Sequence, residues 1–338
     1  MAYLTATLNH FRQVQTWAQA VNAEATLDIR NFELEIRHNH RFYKFFPQFF
    51  CQIQGRLAHA PALSSDAIGF IGWLPYKPLS WELSGDKLAF KRLLTQIEER
   101  SPTSWTELLQ INADYILKQS VGSFGYELAG PFQAAHAIKQ DITAHAPGAR
   151  GVTFAEQFVA GDNLKVWFWG AEPFFAHRHA YPEVHGDGVK SLDNLIQERL
   201  AHLNTTLANN SLDKIAMNSV IEYQNLTLDT VPAAGQTVWV DYRYGRRYML
   251  DINHGLSDNA IPTFGPYLME QIERLGRKLA KELSKQFPAP VLYSIDGVID
   301  TDDQIWWLEM NSNPMFPPEG YQLVFTTLFG IDIRNKTS

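Results

Sequence analysis

The stretch Tyr293-Ser294-Ile295-Asp296-Gly297-Val298-Ile299-Asp300-Thr301-Asp302-Asp303-Gln304-Ile305-Trp306-Trp307-Leu308-Glu309-Met310-Asn311-Ser312-Asn313-Pro314 decides how this chain is read. Two β-rich runs, Val291 to Ile299 and Gln304 to Leu308, flank an acidic turn, the pattern of a β-hairpin. With Asp302 and Asp303 as a two-residue loop, Thr301 pairs with Gln304, and counting outward sets Asp296 opposite Glu309. Directly opposed residues have Cβ atoms about 5 Å apart, and like charges there destabilise a sheet unless something offsets them. A divalent cation does so. Asn311, two residues beyond Glu309, falls on the same face of an extended chain. Two carboxylates and an amide oxygen form a hard-oxygen set of the kind that takes Mg²⁺ when substrate phosphates complete its octahedron. An acidic hairpin whose carboxylates point to water is the alternative, because the register is assumed.

Composition sets the outer limits. A chain of 338 residues with 45% hydrophobic and 13% aromatic residues accommodates two or three domains and builds cores without staples. A net charge of -7 argues against a nucleic-acid-binding surface, which carries a basic patch. The single cysteine, Cys51, points to a reducing compartment. No apolar run reaches the roughly eighteen residues of a membrane span, and no basic and apolar signal region opens the chain, so a cytoplasmic location is expected.

Upstream, Leu8 to Val21 reads as a helix, and Phe42 to Phe50 is an aromatic segment of core character. With the apolar run Ile68 to Gly72 they predict a small α/β unit that ends near Ser84 to Asp86. Ala89, Leu93 and Ile97 recur at helical spacing over Leu88 to Glu99, with Lys91 and Arg92 on the other side. Ser104-Trp105-Thr106-Glu107 fits a capping box and predicts a second helix. The strand pattern Tyr115 to Lys118 runs into the loop Gln119 to Glu127, rich in Gly and Ser. Backbone N–H groups in such a loop approach oxyanions closely and a lysine adds charge, although many such loops are only turns. Its spacing is neither a Walker loop nor a dinucleotide fingerprint.

Gly151 to Asn163 reads as a strand and turn leading into a second strand, Leu164 to Gly170, hence a hairpin. His177, His179 and His185 lack the cysteines or helical spacing of a zinc site. Tyr242 to Tyr248 concentrates Arg243, Arg246 and Arg247 beside tyrosines, suited to phosphate or carboxylate or to a solvated strand edge. Pro266 to Gln286 reads as a scaffold helix.

Together Lys87, Lys118 with its Gly/Ser loop, Glu156-Gln157-Phe158-Val159, Asp296 and Glu309-Met310-Asn311 resemble, in order and spacing, the ATP-grasp ligases. The segment from Glu156 to Ile196, with Gly161-Asp162, Pro182 and Gly186-Asp187-Gly188, looks most like the branch of cyanophycin synthetase and bifunctional glutathione synthetases. It is more distantly similar to D-alanine:D-alanine ligase. The resemblance covers roughly residues 84 to 330. It implies an ATP-grasp fold of mixed α+β and α/β character, two α+β subdomains gripping ATP. The division is a preceding unit at 1–84, a small subdomain with a lid loop at 85–163 and a large subdomain with the metal site at 164–330.

The same resemblance implies residue roles. Lys87 and Lys118 contact the nucleotide phosphates, and the loop Ser120, Gly122, Ser123 and Gly125 folds over them. Glu156 faces the adenine amino group, with backbone at Phe158 and Val159 against the ring, and Asn163 stands at the ribose position, where an acidic residue is usual and Asp162 is the alternative. Asp296, Glu309 and Asn311 hold Mg²⁺, or Mn²⁺ in its place. An arginine usual two residues before the metal-binding aspartate is here Ser294, which leaves Arg178, Arg243, Arg246 or Arg247 to neutralise an acyl phosphate. The implied activity joins a carboxylate to an amine, both small molecules such as amino acids or small peptides, through that acyl phosphate. Phosphoryl transfer asks mainly for positioning and charge neutralisation. A homodimer or homotetramer is expected. A nucleotide-binding protein without ligase activity, or a phosphotransferase acting on a non-carboxylate, shares these residues.

Overall fold

The computed structural model describes residues 2–53, 56–122, 128–135, 151–202, 211–244 and 259–331. Helix α1 (Ala2–Val21) buries Val14, Trp17, Ala18 and Val21, one stripe at three- and four-residue spacing. It packs on five antiparallel strands: β1 (Glu24–Leu27), β2 (Leu34–His38), β3 (Arg41–Ile53), β4 (Arg56–Ala60) and β5 (Ala67–Leu74). The connections between these strands are too short for a parallel crossover, so the unit is helix plus antiparallel sheet rather than alternating α/β. The aromatic segment is β3, and it divides: Phe45 and Phe49 enter the core, Phe42 is exposed and Phe50 lines the central cavity.

After the short helix α2 (Glu82–Gly85) comes α3 (Lys87–Gln96), capped by Asp86, whose carboxylate accepts the Leu88 N–H at 2.8 Å. A small sheet follows, β6 (Ser104–Trp105), β7 (Tyr115–Gln119), β8 (Ala129–Phe132) and β9 (Thr153–Gln157), in the order β6-β9-β7-β8. Ser104 to Glu107 is thus not a helix start. Trp105 is buried against Tyr115 and Leu117 and pairs with Ala155, and only a 3-10 turn, Leu108–Gln110, succeeds it. Tertiary pairing here overrides a local cap signal.

The larger sheet has the order β11-β10-β14-β15, from β10 (Asp162–Trp169), β11 (Glu172–His179), β14 (Leu292–Ile299) and β15 (Ile305–Asn311). Between β11 and β14 run β12 (Glu183–His185), α4 (Leu192–His202), α5 (Ser211–Tyr223), β13 (Thr237–Trp239) and α6 (Pro266–Leu283); α7 (Gly320–Phe329) closes the chain. The strands β9 and β10 do not form the expected hairpin: they belong to different sheets, joined by residues 158–161. Gly161 makes the passage, since a Cβ there would overlap the Ile299 carbonyl.

The two-residue period sorts the large sheet into two faces. Leu164, Val166, Phe168, Tyr293, Ile295, Ile299, Trp307 and Met310 enter one core with α3 and α6. Asn163, Lys165, Trp167, Asp296, Val298, Glu309 and Asn311 face a cavity of about 460 Å³ that the small sheet closes from the other side. No helix among the described residues is long and apolar enough to cross a membrane.

Helix α7 belongs to the first unit's core. Tyr321, Phe325 and Phe329 pack with Trp17, Phe45 and Trp73, and the Tyr321 hydroxyl meets the His10 ring at 2.9 Å. Burial lowers the His10 pKa from 6.5 to about 3. Below pH 6.5 the unfolded chain therefore binds a proton that the folded chain refuses, and stability falls as pH falls. Between pH 7 and 5 the native protein is expected to lose about 2 kcal/mol more than a His10→Gln variant, read from urea unfolding at both pH values. Equal losses in the two proteins would show that His10 does not carry this dependence.

Candidate active site

The hairpin β14–β15 sets Asp296 directly opposite Glu309, as counted from the sequence, but by a different route. The loop has three residues, not two: Ile299 pairs with Ile305, the Asp303 N–H donates to the Asp300 carbonyl, and Asp303 takes a left-handed φ of 56°. That shift of one residue is undone at Leu308, an extra residue in β15 between the Gly297–Trp307 and Asp296–Glu309 pairs. Loop and bulge cancel, and the carboxylates stay face to face. Asn311 lies on the same face, and its amide donates to the second Asp296 oxygen at 3.0 Å.

Each carboxylate of this pair has a lysine. The Lys165 ammonium sits 2.5 Å from Asp296, its cross-strand neighbour on β10, and the Lys87 ammonium 3.3 Å from Glu309. Lys87 also donates to the Gly122 carbonyl at 2.7 Å, which ties the start of the Gly/Ser loop to the hairpin. Burial pushes the Asp296 carboxyl above its ordinary range, against the pull of Lys165. Burial pushes Glu309 the same way, but Lys87, Lys118 and Lys165 outweigh it and hold that carboxyl low. The donor set fits a hard divalent cation: two opposed carboxylates and an amide oxygen on one wall of a polar cavity, with cations already balancing their charge.

At the other end of the cavity Glu156 is 1% exposed, held by Lys118 at 2.5 Å and Lys91 at 2.7 Å. Its carboxylate is engaged by two lysines, rather than open to an adenine amino group. Lys91 is 6% exposed and also donates to the Pro102 carbonyl, so it is not on the solvent side of α3 as the helical pattern predicts. A buried carboxylate on a neighbouring strand draws it inward, and no one-dimensional periodicity carries that pairing. Lys165 was likewise silent in the sequence. Its signal is its position two residues beyond Asn163 on a strand whose alternate residues face the cavity.

Ile116, Leu128, Phe158 and Tyr181 give this end apolar walls. The Phe158 N–H is used by the Asp114 carbonyl at 2.7 Å, and the Val159 carbonyl by the Tyr181 hydroxyl at 3.3 Å. The Phe158 carbonyl and Val159 N–H belong to one trans peptide and point opposite ways, so a flat ring meets one of them, not both.

The cavity thus brings together Lys87, Lys118, Gly122, Glu156, Phe158, Val159, Asn163, Arg243, Asp296, Glu309 and Asn311. The Asn163 amide donates to the Tyr242 carbonyl at 3.0 Å, a bracing contact. Ser120 is buried behind the cavity, its hydroxyl accepting from the Val152 N–H at 3.1 Å. Arg243 lines the cavity while gripping the buried Asp241 through two nitrogens at 2.6 and 2.9 Å. Arg178 is not among the lining residues. It pairs with Asp162 at 2.7 Å on the partly exposed end of β10 and β11. An exposed pair of this kind is worth at most about 1 kcal/mol. Arg178→Ala is expected to change turnover by less than about threefold; a loss of a hundredfold in kcat would restore Arg178 to the catalytic set. Ser123, Gly125, Arg246 and Arg247 lie outside the described residues.

No family model matches the chain, and no curated protein matches it. Solved structures do. A bifunctional glutathione synthetase from Pasteurella multocida aligns at 14% identity over 91% of this chain and 42% of its own, with a TM-score of 0.40. A D-alanine–D-alanine ligase from Bacillus anthracis aligns at 10% identity over 72% of this chain and 63% of its own, TM-score 0.38. A phosphoribosylamine–glycine ligase from Thermotoga maritima aligns at 15% identity over 74% and 56%, TM-score 0.39. The chain spans less than two thirds of the length of each of these structures.

Proposed function

We propose that this protein is an ATP- and Mg²⁺-dependent ligase that joins a small-molecule carboxylate to an amine, an amino acid or small peptide on each side. The observation that carries the reading is the opposed pair Asp296 and Glu309 with Asn311 beside it, each carboxylate matched by a lysine, on one wall of a cavity whose far end has apolar walls around the buried Glu156. The carboxylate oxygen bonds to the γ-phosphorus as its bond to the ADP oxygen breaks, giving ADP and an acyl phosphate. The amine nitrogen then attacks the acyl carbon, phosphate leaves and a proton is released. Asp296, Glu309 and Asn311 would hold the metal, which supplies charge neutralisation at the phosphates when bound. Lys87 binds phosphate oxygens from the side of Gly122, and Lys118, steadied by Glu156, does so from the small sheet.

The residues that face the cavity need no side-chain nucleophile for this chemistry. The division into 1–84, 85–163 and 164–330 goes with this reading, with α7 of the last part packed on the first unit, as do a cytoplasmic setting and a homodimer or homotetramer. The test is incubation with ATP, Mg²⁺ and pooled amino acids. The expected result is release of ADP and phosphate, blocked by EDTA, with a product whose mass equals two substrates less one water. ATP binding without ADP release in any pool would reject the ligase reading for those substrates.

A further inference from the structure

We infer that Lys165, on β10, is the cation that neutralises the phosphoryl group in transit, serving from the neighbouring strand the role that an arginine at position 294 would serve on β14. The inference rests on the ligase reading above and concerns how this chain carries out that reaction without that arginine.

Position 294 is closed to a cation. Ser294 is 0% exposed, and its hydroxyl has no hydrogen bond among the described residues. It lies between Trp167 on one side and Asn311 on the other, its cross-strand partners. Trp167 is the residue that faces the cavity there, and its indole N–H is fixed to the Met315 carbonyl at 2.7 Å. A long side chain at 294 would have to share that space with the Trp167 ring and Asn311. Small residue and large ring fill the space together.

One pair further along the same face stands Lys165, directly across from Asp296. Its ammonium lies 5.7 Å from the Trp167 ring and 5.2 Å from the Tyr244 ring, with Asp296 at 2.5 Å. Two aromatic faces and a carboxylate hold the charge at a fixed point, and its side chain is 13% exposed. Lys87 and Lys118 sit instead with Gly122 and Glu156, on the side of the Gly/Ser loop and the small sheet. Lys165 is therefore the ammonium on the wall shared with Trp167 and Met315, beyond the metal-type residues.

The step asks only for charge. As the carboxylate oxygen bonds to phosphorus and the bond to ADP breaks, the equatorial phosphoryl oxygens carry charge that a preorganised ammonium stabilises. Removing one such donor costs roughly a hundredfold or more in transition-state stabilisation.

The experiment measures MgADP affinity by calorimetry with and without aluminium fluoride, a mimic of the phosphoryl group in flight, and so needs no knowledge of the acceptor. In the native protein, fluoride is expected to tighten MgADP binding. In Lys165→Met that tightening is lost by about a hundredfold or more beyond any change in MgADP affinity itself, and Lys165→Arg restores most of it. Undiminished tightening in Lys165→Met overturns the inference. A fall in MgADP affinity that matches the loss of tightening, unrelieved in Lys165→Arg, also overturns it, because Lys165 would then only brace Asp296. Failure of the native protein to bind MgADP overturns the nucleotide reading itself and this inference with it.

Discussion

Replacing Glu309 with alanine is expected to reduce ADP-forming turnover by about a thousandfold or more, the rate equivalent of roughly 4 kcal/mol. The variant keeps its fold, because the substitution removes one of two opposed carboxylates and with it their mutual repulsion. Lys87 loses its ion pair but retains the Gly122 carbonyl at 2.7 Å. Thermal melting and steady-state ADP release, measured together, separate the effects. Turnover within tenfold of the native rate would remove Glu309, and the opposed pair with it, from the chemistry.

The largest effect on stability is expected at Glu156. Burial pushes this carboxyl up, yet Lys118 and Lys91 outweigh it and keep it ionised, while burial lowers Lys91 against the pull of Glu156. Removing one member of a buried charge cluster leaves the others uncompensated, which costs about 3–5 kcal/mol. Glu156→Gln should therefore melt about 4–7 °C below the native protein. Apolar replacement of the whole cluster, Lys91→Met with Lys118→Met and Glu156→Leu, should recover most of that loss and still fail to bind nucleotide, since Lys118 is gone. A Glu156→Gln protein as stable as the native one would show that the two ammonium groups have other means of compensation.

Much of this site was legible because the β period is strict. Once β15 is a strand, parity sets Glu309 and Asn311 on one face, and the register decides that Asp296 on β14 shares it. Their exact opposition was reached from the wrong loop length, and it holds because Leu308 bulges. Hairpin loops and bulges depend on backbone geometry that residue types specify weakly, so the two errors could not be seen separately. Local signals failed where a distant partner outweighs them. Trp105 leaves a cap pattern to fill the small sheet's core, and Lys91 leaves a helix's polar side for Glu156. The passage from β9 to β10 reads as a turn in either case. Whether two consecutive strands pair or part company is decided by partners far along the chain, here β7 for one and β14 for the other.

The placement of α7 has a consequence for how the molecule is made. Trp17, Phe45 and Trp73 appear early in synthesis, but the Tyr321, Phe325 and Phe329 rings that cover them are encoded some 250 to 310 positions later. At about 5–20 residues per second, the interval is on the order of 15–60 s. Throughout it the part of the first unit's core that α7 covers lacks that cover, and completing it requires contacts of very high sequence separation, which form slowly. Apolar surface awaiting a distant segment is aggregation-prone, so the nascent chain is more exposed to aggregation than the finished protein.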